Sequence, residues 1–382
     1  MKSLLKMKIV ADDKIPFLKG VLEEYADVIY LPGRLIDRSV LRSADALLVR
    51  TRTKCNSGLL SGTNVSFIGT ATIGFDHIDT AWCEEAGIKW TNAPGCNSSS
   101  VQQYIASALL QVSMKGNFDL SDKTIGIIGV GNVGSKIEKI ARLFGMKVLL
   151  NDPPRARAEG SEGFTALDSL LGESDIITVH VPLNRDGEDK TFHLFDNERF
   201  GMMRKGSWFF NSSRGEVVDT AALKTAIDSG KVGGTVLDVW EHEPDIDPGL
   251  MGKAYISTPH IAGYSTDGKA NGTAMIVNAL SEHFGLPLAD WYPHDVPVPL
   301  DTDIIINCKG KSDNEIIREA VLHTYDVTGD SDRLRSSPAD FEKLRGSYPL
   351  RREFGSYTVK LSDGSEATRK LIEAFGFRTD GR

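Results

Sequence analysis

Four cysteines stand in 382 residues, and no two form a Cys-x-x-Cys pair. Cys55, Cys83, Cys96 and Cys308 therefore suggest neither a disulfide framework nor a structural zinc, and no metal-ligand spacing with histidine stands out. No apolar run reaches the roughly 20 residues that span a bilayer. The N-terminal Met1 to Val10 runs directly into a strand-like segment, without a secretory core and cleavage site, so the cytoplasm is the expected compartment. No long basic block appears, and 44 basic against 52 acidic residues leave a net charge of −8. Nucleic acid and anionic membrane are not expected partners, and an anionic ligand would need a locally basic pocket. Internal repeats and low-complexity tracts are missing too.

What remains is a chain of ordinary globular composition, 41% hydrophobic and 25% charged, long enough for two or three domains. Residues 8 to 93 alternate short apolar runs (8–12, 27–31, 46–50, 66–70 and 88–92) with helix-like segments at 15–25, 39–43 and 80–86. That alternation predicts a parallel sheet covered on both faces. A helix over 99–114 leads to a second alternating unit. Its strands are expected at 124–129, 147–152, 176–181, 207–212, 233–238 and 254–258, and its helices near 133–144, 167–173, 197–203 and 220–229. A long helix over 265–284 follows. Prolines between Leu286 and Pro299 interrupt regular structure. Beyond them a strand (303–307), a helix (314–325), a mixed segment and a helix near 366–375 make a small α+β region. The expected architecture is α/β: two doubly wound Rossmann-like domains with a cleft between them, plus a small C-terminal α+β domain.

Gly129-Val-Gly-Asn-Val-Gly134 matches G-x-G-x-x-G, and it sits between a strand and a helix, where that pattern carries meaning. Gly129 suits the tight turn, Gly131 a close approach to a pyrophosphate, and Gly134 the packing of helix on strand. Asn132 and Val133 open the helix, whose N-terminal N–H groups favour an anion. The next strand ends at Asp152, a carboxylate that suits ribose hydroxyls and repels a 2′-phosphate. NAD is therefore the expected cofactor, although Arg155 and Arg157 lie just beyond.

Three residues then follow successive strands: Arg214 in Asn211-Ser-Ser-Arg-Gly215, Glu243 in Asp238-Val-Trp-Glu-His-Glu-Pro244, and His260 in Thr258-Pro-His-Ile-Ala-Gly-Tyr264. Oxidising a 2-hydroxy acid needs a guanidinium to clamp the carboxylate, an imidazole to take the hydroxyl proton, and an acid to orient that imidazole. Singly, each residue also reads as an ordinary loop residue. Together, at one end of one nucleotide sheet, they form a unit. Glu241 and His242 compete for the role of Glu243. His77 reads as lining a cleft or capping a turn, while His180, His193, His283, His294 and His323 lack a partner in sequence. Arg50-Thr-Arg-Thr-Lys54 gathers donors at a strand end, and part of it, Arg52 foremost with Arg50, is expected to hold a phosphate.

These motifs, with Gly69-Thr-Ala-Thr-Ile-Gly-Phe-Asp-His-Ile-Asp79 and Asn92-Ala-Pro-Gly95, resemble the D-isomer-specific 2-hydroxyacid dehydrogenases. The resemblance covers residues 1 to about 285 of this sequence. It implies a substrate-binding domain over 1–98, completed by 265–285, and an NAD-binding domain over 99–264. It places the family's arginine, glutamate and histidine at Arg214, Glu243 and His260. It further implies substrate contacts at Thr51, Thr72 and Tyr264, and cofactor contacts at Asp152, Val181, Asp238 and Gly263. The stretches His260 to Thr273 and Val181 to His193, and the region 286–382, resemble a branch that oxidises a phosphorylated hydroxy acid and dimerises through its C-terminal domain. The rival readings are another family dehydrogenase, such as one acting on 3-phosphoglycerate, and a non-catalytic NAD(H)-sensing protein.

Overall fold

The computed structural model describes residues 6 to 380. Met1 to Leu5, part of the stretch read above for a secretory signal, lie outside the described residues, as do Gly381 and Arg382. The chain divides into two compact units, Met1–Asn97 with Ser265–Pro297, and Ser98–Tyr264 with Val298–Arg382.

The first unit holds a parallel sheet of β1 (Met7–Asp12), β2 (Ala26–Leu31), β3 (Ala46–Val49), β4 (Phe67–Thr70) and β5 (Lys89–Thr91), in the order β2-β1-β3-β4-β5. The central strands β3 and β4 are short and buried at every residue because both sheet faces are covered there. On one face Ile9, Leu48 and Phe67 pack against Ile276, Val277 and Leu280 of the helix Thr266–Phe284. That helix is distant in sequence, yet it closes the core of this unit. A helix expected over 15–25 is instead a series of turns. Ile15, Leu18 and Leu22 are buried at helical spacing, but Phe17 and Gly20 take positive φ of 61° and 86°. Left-handed residues end a right-handed helix, and Pro16 removes a donor. The apolar spacing there reflects packing alone.

The second unit is built on β6 (Thr124–Ile128), β7 (Lys147–Asn151), β8 (Ile176–Val179), β9 (Ser207–Asn211), β10 (Val232–Leu237) and β11 (Ile256–Ser257). Their order is β11-β10-β9-β8-β6-β7, all parallel. The order reverses at β6, the kind of crevice where open α/β sheets take ligands. Register matters more than order. Ile128 pairs with Asn151 and Val179, Val179 with Asn211, Asn211 with Leu237, and Leu237 with Ser257. One row of paired residues therefore ends six strands, and every loop that follows leaves from the same edge.

The strand expected over 254–258 is only two residues long. The C-terminal helix Val327–Ser336 lies against this edge strand, and Ser331 Oγ accepts the N–H of Ser257 at 3.0 Å. An exposed strand edge is thus covered. The C-terminal residues also form a parallel sheet, β12 (Asp303–Asn307), β13 (Thr358–Ser362) and β14 (Arg378–Thr379), flanked by helices Asp313–Thr324 and Glu366–Phe375. Five helices were not anticipated from sequence: Pro153–Glu159, Pro248–Lys253, Val327–Ser336, Phe341–Gly346 and Ser57–Leu60. The first two are short, start on proline and are capped by Asp152 and Asp247, a start signal that was legible.

Candidate active site

Each glycine of the loop after β6 has its own constraint. Gly129 has a φ of 84°, and a Cβ there would meet His180 O at 2.7 Å. A Cβ on Gly134 would lie 2.0 Å from Gly129 O, so only glycine lets the helix Asn132–Leu143 sit this close. Gly131 is different: a Cβ there meets nothing within 4 Å. Its side faces open space that a pyrophosphate could fill. Gly131 is also the N-cap, and no side chain caps the helix. The first N–H groups of Asn132 and Val133 therefore suit an anion.

Asp152 follows β7, as expected, but its carboxylate already has tasks. Oδ2 accepts Val130 N–H at 2.7 Å and Oδ1 accepts Arg155 N–H at 3.0 Å. These bonds tie the glycine loop to the strand end and leave lone pairs for ribose hydroxyls. Arg155 is ion-paired with Glu159, and Arg157 with Glu188 and Asp189. Both arginines that complicated the cofactor reading are thus engaged by acids. Val181 is half-buried against the apolar core beside Gly129. The residues present fit NAD.

Arg214 is presented by a turn that Asn211 holds. Asn211 Oδ1 accepts from Ser213 N–H and Oγ–H at 3.0 and 2.8 Å, and its amide donates to Arg214 O at 2.9 Å. Gly215 follows because a Cβ there would fall 1.9 Å from the Trp240 carbonyl carbon. That contact presses the Arg214 turn against the loop that carries Glu243.

Glu243 Oε2 lies 2.7 Å from His260 Nδ1, while Oε1 accepts Trp240 N–H at 3.0 Å. Burial works against the Glu243 charge, but the neighbouring His260, these hydrogen bonds and the guanidinium of Arg345 outweigh it and hold the carboxyl below its ordinary value. A charged Glu243 accepts the Nδ1 proton. His260 Nε2 is then left as a proton acceptor, the tautomer a general base requires. Glu241 is excluded from this role: its oxygens accept from Thr220 N–H and meet His193 Nε2, each at 2.8 Å. Arg214, Glu243, His260, His193, Glu241 and Arg185 line one pocket of about 570 Å³.

The residues after His260 are gripped from two sides. Asp238 is fully buried, and its carboxylate accepts the N–H groups of Ile261 and Ala262 at 2.8 and 2.9 Å, plus Thr258 Oγ–H at 2.6 Å. Its backbone carbonyl takes His260 N–H at 2.7 Å. From the opposite side comes Arg351, 4% exposed, whose guanidinium donates to the carbonyls of Ile261 and Ala262 at 3.2 and 2.6 Å and to Ser100 Oγ. Tyr325 and Tyr348 flank that guanidinium and donate to buried Asp330 at 2.7 and 2.6 Å. Gly263 and Tyr264 continue the loop, and the Tyr264 ring meets Tyr348 edge-on at 6.0 Å.

Histidines that had no partner in sequence acquire them here. His193 pairs with Glu241. His180 Nε2 bonds Thr178 Oγ at 2.9 Å, with Ser212 Oγ 3.5 Å from Nδ1. Complete burial pushes His180 down to about 3, so it is neutral. In the first unit Arg50, Thr51 and Arg52 follow β3 while Thr72 follows β4, and Val49 pairs with Thr70, so both loops leave one edge. Arg50 donates to Lys14 O at 3.2 Å, and Thr51 and Arg52 are exposed. His77 Nε2 lies 3.1 Å from Thr70 Oγ, which lies 2.8 Å from Thr72 Oγ, which donates to Gly74 O at 2.9 Å.

Nothing in sequence pointed to Arg351 or Arg345, which meet this loop from about 90 residues away. Among the described residues, no cluster of His, Cys, Asp and Glu suits a metal, and no helix is long and apolar enough to cross a membrane.

Comparison with known proteins gives a consistent picture. The family model for the NAD-binding domain of D-isomer-specific 2-hydroxyacid dehydrogenases matches residues 99–262, and that of a domain of unknown function matches 303–376. The chain is 50% identical over 357 residues to erythronate-4-phosphate dehydrogenase of Bacteroides fragilis, covering 93% of this chain and 100% of that one. It is 41% identical to the enzyme of that name from Yersinia pestis, covering 98% and 99%. Among solved structures it is similar to D-lactate dehydrogenase of Aquifex aeolicus with NAD and lactic acid, at a TM-score of 0.60 and 28% identity, covering 73% of this chain and 96% of that one.

Two outcomes are expected of this packing. Replacing Arg351 by Met strands two buried carbonyls and unbalances Asp238 and Asp330. It should lower stability in urea by about 3 kcal/mol, and a loss below about 1 kcal/mol would contradict the grip described. His180 is neutral when folded but titrates near 6.5 when unfolded, so the unfolded chain binds the extra proton and stability falls as pH drops below that value. Between pH 7.5 and 5.5 the wild type should lose about 1.4 kcal/mol more than His180→Gln, measured by paired denaturation curves.

Proposed function

The chain belongs to the D-isomer-specific 2-hydroxyacid dehydrogenase family, and on that premise we propose that it oxidises 4-phospho-D-erythronate at C2 to the 2-oxo acid, with NAD as acceptor. The observation that carries this is the hydrogen-bonded Glu243–His260 pair facing a pocket shared with Arg214, in a chain similar over nearly its full length to erythronate-4-phosphate dehydrogenases. The reaction serves the formation of pyridoxal phosphate.

In this reading Arg214 binds the substrate carboxylate and the oxygen at C2 through paired N–H donors. His260 takes the hydroxyl proton at Nε2. Glu243 stabilises the imidazolium that results, having oriented the ring beforehand. NAD, when bound, supplies the acceptor for the hydride that leaves C2. Gly129, Gly131, Asn132, Val133 and Gly134 receive its pyrophosphate, and Asp152 its ribose, with Val181, Asp238 and Gly263 lining the remainder. Asp238 acts mainly by holding the His260 loop, since three donors occupy its carboxylate. Thr51, Thr72 and Tyr264, with Arg50 and Arg52, bind the substrate. The expected boundaries are retained in the same sense: a substrate-binding domain over 1–98 with 265–285, an NAD-binding domain over 99–264, and a C-terminal domain over 286–382.

The working form is a cytoplasmic homodimer joined through the C-terminal region. Support for the dimer comes from three apolar side chains there, Val298, Leu300 and Ile305, which stand 71%, 109% and 76% exposed. Ile305 lies on the edge strand β12 of its sheet.

The direct test follows NADH formation with 4-phospho-D-erythronate beside 3-phosphoglycerate and D-lactate. Turnover of the first should exceed that of both others; no turnover of any would leave only an NAD(H)-sensing role. His260→Ala should lower kcat by about 10³-fold or more while NADH fluorescence titration shows binding largely intact. Near-normal turnover would refute the base. Arg52→Ala should raise KM for phosphorylated acids more than for unphosphorylated ones. Equal effects on both would remove Arg52 from the phosphate.

A further inference from the structure

The proposed substrate carries two anionic groups: Arg214 answers the carboxylate, and in the reading above Arg52 with Arg50 is the first unit's cation for the phosphate. Arg52 is exposed, and a doubly charged phosphate ester is held more tightly by a further cation that is desolvated and has donors to give. Within the second unit the cations near His260 can be sorted by what already occupies them. Arg351 commits Nη2 to Ser100 and two backbone carbonyls; its Nε is also buried without a partner, but the residue is only 4% exposed and lies between the rings of Tyr325 and Tyr348. Arg185 is 64% exposed, beside Glu216. Arg345, on the short helix Phe341–Gly346, is different. Its side chain is only 20% exposed, and its Nε is buried without a hydrogen-bond partner. Nη1 donates to Glu342 at 3.1 Å, and the guanidinium lies 5.7 Å from the centre of the Tyr264 ring. Its charge also favours the ionised Glu243 carboxyl, after the larger effects of His260 and the Trp240 N–H. An arginine over the ring of Tyr264, four residues past His260, with a buried donor left over, is set to receive something.

Chain coverage points the same way. D-lactate dehydrogenase of Aquifex aeolicus, bound to an unphosphorylated acid, matches 96% of its own length but 73% of this chain. The erythronate-4-phosphate dehydrogenases match 93–98% of this chain. Arg345 lies in the separately matched region 303–376. We propose that Arg345 is a binding residue for the phosphate ester of the substrate, so that the C-terminal region sets specificity as well as any assembly role. The phosphate would take the orphaned Nε–H together with an Nη–H, a bidentate pairing, beside Tyr264. This rests on the reading of a phosphorylated substrate.

The test uses the full-length protein with 4-phospho-D-erythronate and D-erythronate. The wild type is measured first: if it prefers neither, the reading of a phosphorylated substrate fails, before any variant is made. Given that preference, Arg345→Met should reduce the ratio of kcat/KM for the two acids by on the order of 50-fold, chiefly through KM for the phosphorylated one. Equal losses on both acids, or a shifted pH profile of kcat, would show that Arg345 acts through Glu243 and overturn the proposal. Should Arg345→Met not fold, Arg345→Lys keeps the charge without the fork. Its ratio should fall several-fold, and an unchanged ratio would equally overturn the proposal.

Discussion

The backbone of residues 260 to 262 is held between two buried charges of opposite sign. Asp238 takes its N–H groups and Arg351 its carbonyls. Hydrogen bonds to charged groups contribute about 1.5–3 kcal/mol each, and they are strongest where water is excluded. Such a grip is needed because His260 sits at a φ of 56°, in the left-handed region that costs a residue with a Cβ on the order of 1 kcal/mol or more. A free loop would relax out of that conformation and carry the imidazole away from Glu243. The Glu243–His260 bond, and the tautomer it selects, therefore depend on the two buried charges behind them.

The sheet supplies the second condition. One register row ends β7, β6, β8, β9, β10 and β11, so Asp152, Gly129, Val181, Arg214, Asp238 and His260 all follow a common edge. Parallel strands make this possible, since every C-terminal end points the same way and each loop can carry one function. A slip by one residue in β10 would turn Asp238 away from the His260 loop while leaving the strand equally apolar. The paired row, rather than any single motif, converts residues scattered over 131 positions, from Gly129 to His260, into one site.

Much of this was legible in the sequence, for identifiable reasons. The glycine loop, Asp152 and the three residues behind it follow strands with strong apolar runs, and such strands are hard to misread. The segment 15–25 misled because Ile15, Leu18 and Leu22 keep helical spacing while Phe17 and Gly20 take positive φ. The choice between Glu241 and Glu243 was closed to sequence: two residues apart, they point at different histidines, and only the fold brings His193 to one and His260 to the other. The third region was read as a small α+β domain, and local patterning gave no sign that Arg351 reaches Ala262 across 89 positions.

Arg345 and Arg351 are six residues apart and each keeps a buried Nε without a partner, so it is their surroundings that separate their roles. Arg351 spends Nη2 on two buried carbonyls, is 4% exposed and has aromatic rings against it, so it has little freedom to answer a ligand. Arg345 keeps a buried donor with no acceptor. Leaving a buried polar group unpaired costs about 1–3 kcal/mol, and a fold retains such a cost most readily where a ligand removes it. A phosphate oxygen at that donor would recover the cost on binding, and an unphosphorylated acid would not. Discrimination then comes from a penalty already present in the free protein, which is a stronger basis for specificity than an added surface charge. The same short stretch of chain thus makes one arginine rigid and leaves the other expectant, and the difference lies in their exposure and neighbours rather than their residue type.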